Sequence, residues 1–191
     1  MSKNCQPRTP NNLLKSFAGE SQARNRYTFF SSAARSEGYM QIAAIFEETA
    51  NQEKEHAERF FKLLRGGEDE ISATFPAGVI RSTSANLKAA ADGEYEEWHD
   101  LYPRFAAIAR EEGFIDAASA WENIIISEKQ HEKRYRELLD NLDNHRVFRR
   151  DEMVMWRCRN CGYLHFGFEA PQSCPACLHS RGYFELLAEN W

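Results

Sequence analysis

From Asn12 to about Asp143 apolar residues return every three or four positions, and no alternating run of useful length interrupts them. That period predicts helix throughout. The breaks fall at Gly38, at Gly66-Gly67, in a stretch to Arg81 that contains Pro76 and Gly78, and at Gly113. Four segments remain, roughly 12–37, 39–65, 82–112 and 114–142, with Pro103 expected to kink the third. The links at Gly38 and Gly113 are short enough to impose antiparallel neighbours, and the middle connection is long enough to cross the end of a bundle. An all-α four-helix bundle follows.

A repeat supports it. A shift of 75 residues lays Tyr27 on Tyr102, Phe30 on Phe105, Glu37-Gly38 on Glu112-Gly113, Glu53 on Glu128, His56 on His131 and Leu63-Leu64 on Leu138-Leu139. Each half is therefore one helix pair, and the two pairs are expected to pack about a pseudo-twofold axis. After Asn144 the helical period stops and the chain becomes rich in Cys, Gly and aromatics. This divides it into a bundle, residues 1–146, and a small second domain, 147–191. So short a domain rarely buries enough apolar surface to fold unaided, and a structural metal is expected in it.

Charged residues intrude on the apolar stripes. In the second segment the stripe runs Ile42, Ile45, Phe46, Thr49, then Glu53 and His56, then Phe60 and Leu63; in the fourth, Glu128 and His131 interrupt Trp121, Ile125, Tyr135 and Leu138. Glu20 sits among Phe17, Ala23 and Tyr27 in the first, and Glu94 and Glu97 lie on the inner face of the third. One Glu-x-x-His is commonplace on a solvated helix face. Several ionised carboxylates converging in one core are not, because each costs several kcal/mol even after relaxation. Two divalent cations resolve the conflict: one Glu from each of two helices with Glu-x-x-His from the other two is the ligand set of ferritin-like dimetal bundles. Oxygen ligands with one imidazole per metal suit Fe or Mn. Glu53 and Glu128 are best placed to bridge, Glu20 and Glu94 to act as terminal ligands, and Glu97 is a surplus carboxylate for a site that changes ligands with oxidation state. Tyr27 and Tyr102 lie within reach of a ligand carboxylate, or are packed core tyrosines.

Cys158-x-x-Cys161 and Cys174-x-x-Cys177, 12 residues apart, predict a tetrahedral sulfur site for iron or zinc. Cys5 stands alone in a polar tail and reads as a free thiol. The knuckles resemble those of rubredoxin, with Leu178 where rubredoxins place Gly, and the resemblance favours iron. Acidic residues outnumber basic ones, 29 to 24, for a formal charge of −5, which argues mildly against a nucleic-acid partner. The five site glutamates account for that whole excess, so the charge argument is weak. No run approaches a membrane span, and the N-terminus has no apolar core of a signal sequence, so a cytoplasmic protein is expected.

With the run Gly19-Glu20 to Tyr27, Glu53-x-x-His56, Glu94-x-x-Glu97, Glu128-x-x-His131 and the four cysteines, the chain resembles the rubrerythrin family almost end to end. The resemblance implies a diiron peroxidase that reduces hydrogen peroxide to water in oxidative-stress defence. It implies that Glu20, His56 and Glu97 serve one iron, Glu94 and His131 the other, and that Glu53 and Glu128 bridge, with Glu97 exchanged for His56 on reduction. It further implies one iron at Cys158, Cys161, Cys174 and Cys177 as electron donor, reduced by an external rubredoxin or NAD(P)H-dependent reductase, and a head-to-tail homodimer or larger assembly. Two other classes compete: a ferroxidase or iron-handling ferritin-like protein, and a zinc-ribbon binding module using Arg149, Arg150, Arg157, Arg159 and Arg181.

Overall fold

The computed structural model describes residues 7–191; Cys5 lies outside them. Helices α1 (Thr9–Ser36) and α2 (Met40–Leu63) form one antiparallel hairpin. The second hairpin pairs α5 (Ile115–Asp143) with a composite helix, α3 (Thr83–Glu96) running through a π-helical turn, Glu97–Leu101, into α4 (Tyr102–Glu111). This is the bundle that the periodicity predicts. Each hairpin turns through a glycine in the left-handed region, Gly38 at φ +86° and Gly113 at φ +81°. Both turns close in the same way. Gly38 N–H donates to Arg35 O and Tyr39 N–H to Ala34 O, while Gly113 and Phe114 repeat the pair on Arg110 and Ala109. Orphan carbonyls at the helix ends are thereby satisfied.

The two halves also cap each other. The Glu112 carboxylate accepts from the backbone N–H groups of Arg8 and Thr9 at 2.9 Å, and its mate Glu37 accepts from Thr83 N–H at 3.0 Å. A carboxylate at a helix N-terminus satisfies free N–H groups and opposes the positive end of the dipole.

The 75-residue register holds only from Tyr27 and Tyr102 onward. Upstream, Thr9 and Thr83, Asn12 and Asn86, Leu13 and Leu87, Gly19-Glu20 and Gly93-Glu94 are mates at a shift of 74. The extra residue lies between Glu94 and Tyr102, where the helix widens and Tyr102 N–H donates to Glu97 O, five residues back. A π-turn is how an α-helix absorbs one inserted residue, and such turns cluster at functional sites. The interruption expected from Pro103 thus takes this form: Pro103 follows directly on the π-turn, whose widened backbone accommodates a residue that has no N–H to donate.

The apolar core is in two parts. One cluster includes Tyr27, Phe30, Ile42, Phe46, Leu87 and Tyr135; the other includes Leu13, Phe60, Tyr102, Phe105, Trp121 and Ile124. The intruding carboxylates lie between them. The C-terminal region is a three-stranded antiparallel sheet in the order β2-β1-β3, with β1 Arg149–Cys158, β2 Leu164–Glu169 and β3 Phe184–Leu186. Its own small core holds Trp156, Cys158, Ala170, Cys174 and Phe184. It seats on the Gly38 end of the bundle: Phe148 stacks on Tyr39 at 6.0 Å, and Gly182 packs so closely on the Gly38 backbone that a Cβ would collide with the carbonyl.

Leu178 has φ +60° and is 80% exposed. Its counterpart after the first knuckle is Gly162 at φ +79°, and each donates its N–H to the first cysteine of its own knuckle. The turn demands a left-handed residue, which costs a leucine roughly 1 kcal/mol or more. Leu178→Gly is expected to stabilise the domain by roughly 1 kcal/mol, read as an about fivefold slower loss of metal to a chelator.

Candidate metal centres

Glu20, Glu53, Glu94 and Glu128 are buried to 1% exposure or less, and His131 to 4%. Their ligating atoms, with those of His56, form two groups in each of which all atoms lie within 4.8 Å: Glu20, Glu53, His56 and Glu128, and Glu53, Glu94, Glu128 and His131. The shared carboxylates divide their oxygens. Glu53 Oε2 and Glu128 Oε1 lie 3.0 and 2.9 Å from His56 Nδ1, whereas Glu53 Oε1 and Glu128 Oε2 lie 3.0 and 2.8 Å from His131 Nδ1. Each thus offers one oxygen to each group, which is the geometry of a bridge. Glu20 is 3.9 Å from His56 and Glu94 is 3.6 Å from His131. Glu97 belongs to neither group. It begins the π-turn beside Gly19, so His56 here stands where the family resemblance also puts Glu97.

The surrounding residues fix these side chains. Tyr27 Oη donates to Glu94 Oε1 and Tyr102 Oη to Glu20 Oε1, each at 2.5 Å. Gln52, which the sequence reading missed, lies with its Oε1 3.0 Å from His131 Nε2. A proton on Nε2 leaves Nδ1 free as a ligand. Its position next to Glu53 was the available signal, but its 75-residue mate is Ser127, so the repeat hides it.

Charge is poorly balanced by protein groups alone. Oxygens of Glu20, Glu53, Glu94 and Glu128, and Nδ1 of His131, are buried without a well-formed hydrogen bond. Burial, then the neighbouring carboxylates, pushes Glu20, Glu94 and Glu97 well above the usual carboxyl range, with some relief for Glu94 from His131 and for Glu97 from Arg26. Burial also opposes charge on Glu53, but hydrogen bonds from His131 and His56 outweigh it and bring Glu53 down to about 2. The imidazoles respond in kind: against burial, their contacts with Glu128 and Glu53 raise His56 to about 10 and His131 to about 12. A core of this kind is built for cations, and its donors fit iron.

The four cysteine sulfurs also lie within 4.8 Å of one another and form no disulfide. The sulfurs of Cys161 and Cys174 are 3.6 Å apart and those of Cys158 and Cys177 3.8 Å apart. A hydrogen bond from His179 backbone N–H lowers the Cys177 thiol to about 6, which favours the thiolate that a metal requires.

The fold and the two centres define a class: a ferritin-like dimetal-carboxylate bundle carrying a rubredoxin-like domain. The family models agree, with Rubrerythrin matching residues 11–139 and the rubredoxin-like domain of rubrerythrin matching 156–185. The chain belongs to the rubrerythrin family. It is 53% identical to rubrerythrin of Nitratidesulfovibrio vulgaris over 184 residues, covering 96% of each chain. It is 55% identical to rubrerythrin of Porphyromonas gingivalis, covering 96% of this chain and 92% of the relative. Among solved structures, nigerythrin in a partially reduced state matches with a TM-score of 0.65 and 33% identity, over 97% of this chain and 90% of that one.

Loading the dimetal centre should release protons. His56 and His131, raised to about 10 and about 12, hold protons at pH 7 in the metal-free bundle, and burial among like charges shifts Glu20 and Glu94 in the same direction. Ligation needs the imidazole nitrogens and carboxylates free of them, so about two or more protons leave per chain and affinity rises from pH 5 to 8. Calorimetric titration of the metal-free protein with Mn(II), in two buffers of different ionisation heat, checks this. Equal heats in both buffers would contradict it.

Proposed function

We propose that the chain is a peroxidase that reduces hydrogen peroxide to water at the dimetal centre of residues 1–146, with electrons relayed through an iron at the four cysteines of 147–191. The observation that carries this reading is the pair of four-ligand groups sharing Glu53 and Glu128, joined in one chain to a four-cysteine site. Two ferrous ions would supply one electron each and Lewis-acid stabilisation of both oxygens. The balance is one peroxide, two electrons and two protons giving two waters.

The chain's own residues do the rest. Glu20, Glu53, His56 and Glu128 would hold one iron, and Glu53, Glu94, Glu128 and His131 the other. Tyr102 and Tyr27 orient Glu20 and Glu94 through the 2.5 Å hydrogen bonds, and keep the two terminal carboxylates from collapsing onto the bridges. Glu97 lies outside both groups with a raised pKa, placed to carry a proton to the reacting oxygen or to become a ligand when the oxidised site needs more negative charge. These two uses are exclusive at any one moment.

Electron delivery bears on assembly. The sheet domain sits at the Gly38 end of the bundle, and Glu53 lies roughly 20 Å further along α2 at 1.5 Å per residue. A neighbouring chain's cysteine site reaching the flank of the bundle shortens that gap, which supports a homodimer or larger homo-oligomer. An external rubredoxin or NAD(P)H-dependent reductase then supplies the cysteine site. Oxidative-stress defence in the cytoplasm is the role that follows.

Other readings fare less well. A ferroxidase needs no sulfur-ligated donor. A zinc-ribbon module would need its arginines free for a partner, but Arg157 and Arg159 both pair with the buried Glu185, and Arg181 pairs with Glu169. No helix among the described residues is long and apolar enough to cross a membrane.

The test is optical. Anaerobically reduced protein should regain its red ferric-thiolate absorbance on adding hydrogen peroxide, in fixed stoichiometry; a colourless protein with zinc at the cysteines, or a sluggish response, counts against the proposal. Cys174→Ser should lose the red band and reductase-linked turnover while its reduced dimetal centre still consumes peroxide. Tyr102→Phe should keep the band and lower the peroxide rate by about tenfold.

A further inference from the structure

A cavity of about 280 Å³ lies where α1 faces α3, roofed by the connection between α2 and α3. Its walls include Gly19, Gln22 and Arg26 from α1, Glu97 and Tyr102 at its floor, and Phe75 from the roof. The roof, residues 65–82, has no helix or strand, and only Ile71 and Phe75 in it are not exposed. A Cβ on Gly19 would stand 3.7 Å from the Phe75 ring and 4.0 Å from Glu97 Oε1. Gly19 is thus the narrow point between roof and floor.

Two features say that the cavity handles a small polar molecule. Glycine in a helix interior is disfavoured against alanine, yet Gly19 and its mate Gly93 both line this gap, one on each wall. And both the Gln22 carbonyl oxygen and Arg26 Nε are buried without a hydrogen-bond partner. An unmatched acceptor and an unmatched donor along one passage suit a solute that both donates and accepts, such as water or a hydroperoxide.

Resting on the peroxidase reading, we propose that this cavity is the route by which hydroperoxides reach the Glu97 edge of the dimetal centre, and that Phe75 sets its bore. Hydrogen peroxide passes alongside the Phe75–Gly19 contact, and hydroperoxides with bulky alkyl groups are turned back. The imidazole side of the site has its own opening between α2 and α5, lined by Gln52, His56, Ser127 and His131. Entry there is the competing route.

The test uses full-length, iron-loaded protein. Phe75→Ala should raise the single-turnover rate with cumene hydroperoxide about tenfold relative to that with hydrogen peroxide, and should speed formation of the azide adduct of the oxidised protein, a measure of entry that needs no turnover. Gly19→Ala makes only ordinary contacts and improves the helix, so it should fold normally and slow both. Gly78→Ala, on the roof with nothing near its Cβ, should change neither. If Phe75→Ala and Gly19→Ala have wild-type melting temperature and iron content but leave both the peroxide ratio and the azide rate unmoved, the route is wrong; so it is if Ser127→Phe alone slows azide. If the wild-type protein ignores hydrogen peroxide while azide entry still follows Phe75 and Gly19, the route stands and the peroxidase reading falls.

Discussion

Between the two apolar clusters of the bundle, four fully buried glutamates surround a space a few ångströms across. At 4 Å, two like charges repel by about 4 kcal/mol even at an effective dielectric of 20, and four of them exceed what a bundle of this size has to spare. The metal-free chain offsets the charge with protons on His56 and His131, and the crowding raises the pKa of Glu20 and Glu94. Cations held by these donors would replace those protons with fixed positive charge. Much else in the bundle follows from this. The tyrosines sit at the boundary of each apolar cluster because a ligand carboxylate needs a donor there, and their rings complete the clusters they border.

The pseudo-twofold arrangement lets one helix hairpin, used twice, supply a symmetric pair of four-ligand groups. Its departures from symmetry mark where the two metals are made unlike. One residue is inserted into the third helix, and the resulting π-turn presents Glu97 on one side only. Gln52 supports His131, whereas the mate position by His56 is Ser127. Tyr135 packs on Tyr27 where Phe60 packs on Tyr102. These differences leave the two four-ligand groups chemically distinct, which a simple duplication would not do.

The small domain reaches a stable fold by other means. Its core is five buried residues, two of them cysteines, so the metal stands in for the apolar area that so short a chain lacks. The turn that closes each knuckle on its first cysteine takes a left-handed residue, and Leu178 adopts there a backbone that glycine would adopt freely. Its seat against Gly38 depends on Gly182 having no side chain.

The sequence by itself determined the helices, the hairpin pairing, the ligand types and the cysteine site, because each is written in local spacing: apolar residues at three and four, Glu-x-x-His within one turn, Cys-x-x-Cys around one metal. Glu53, His56, Glu128 and His131 were legible as residues of the wrong polarity on a buried stripe. What spacing does not carry is the relation between helices. Only the tertiary structure showed that Glu53 and Glu128 split their oxygens between two groups, that Glu97 stands outside both, and that Gln52 reaches His131 across the bundle. It also placed Phe75, from a connection with no regular structure, over Gly19. Those positions are decided by packing between segments dozens of residues apart, where the balance of burial against charge is struck in three dimensions.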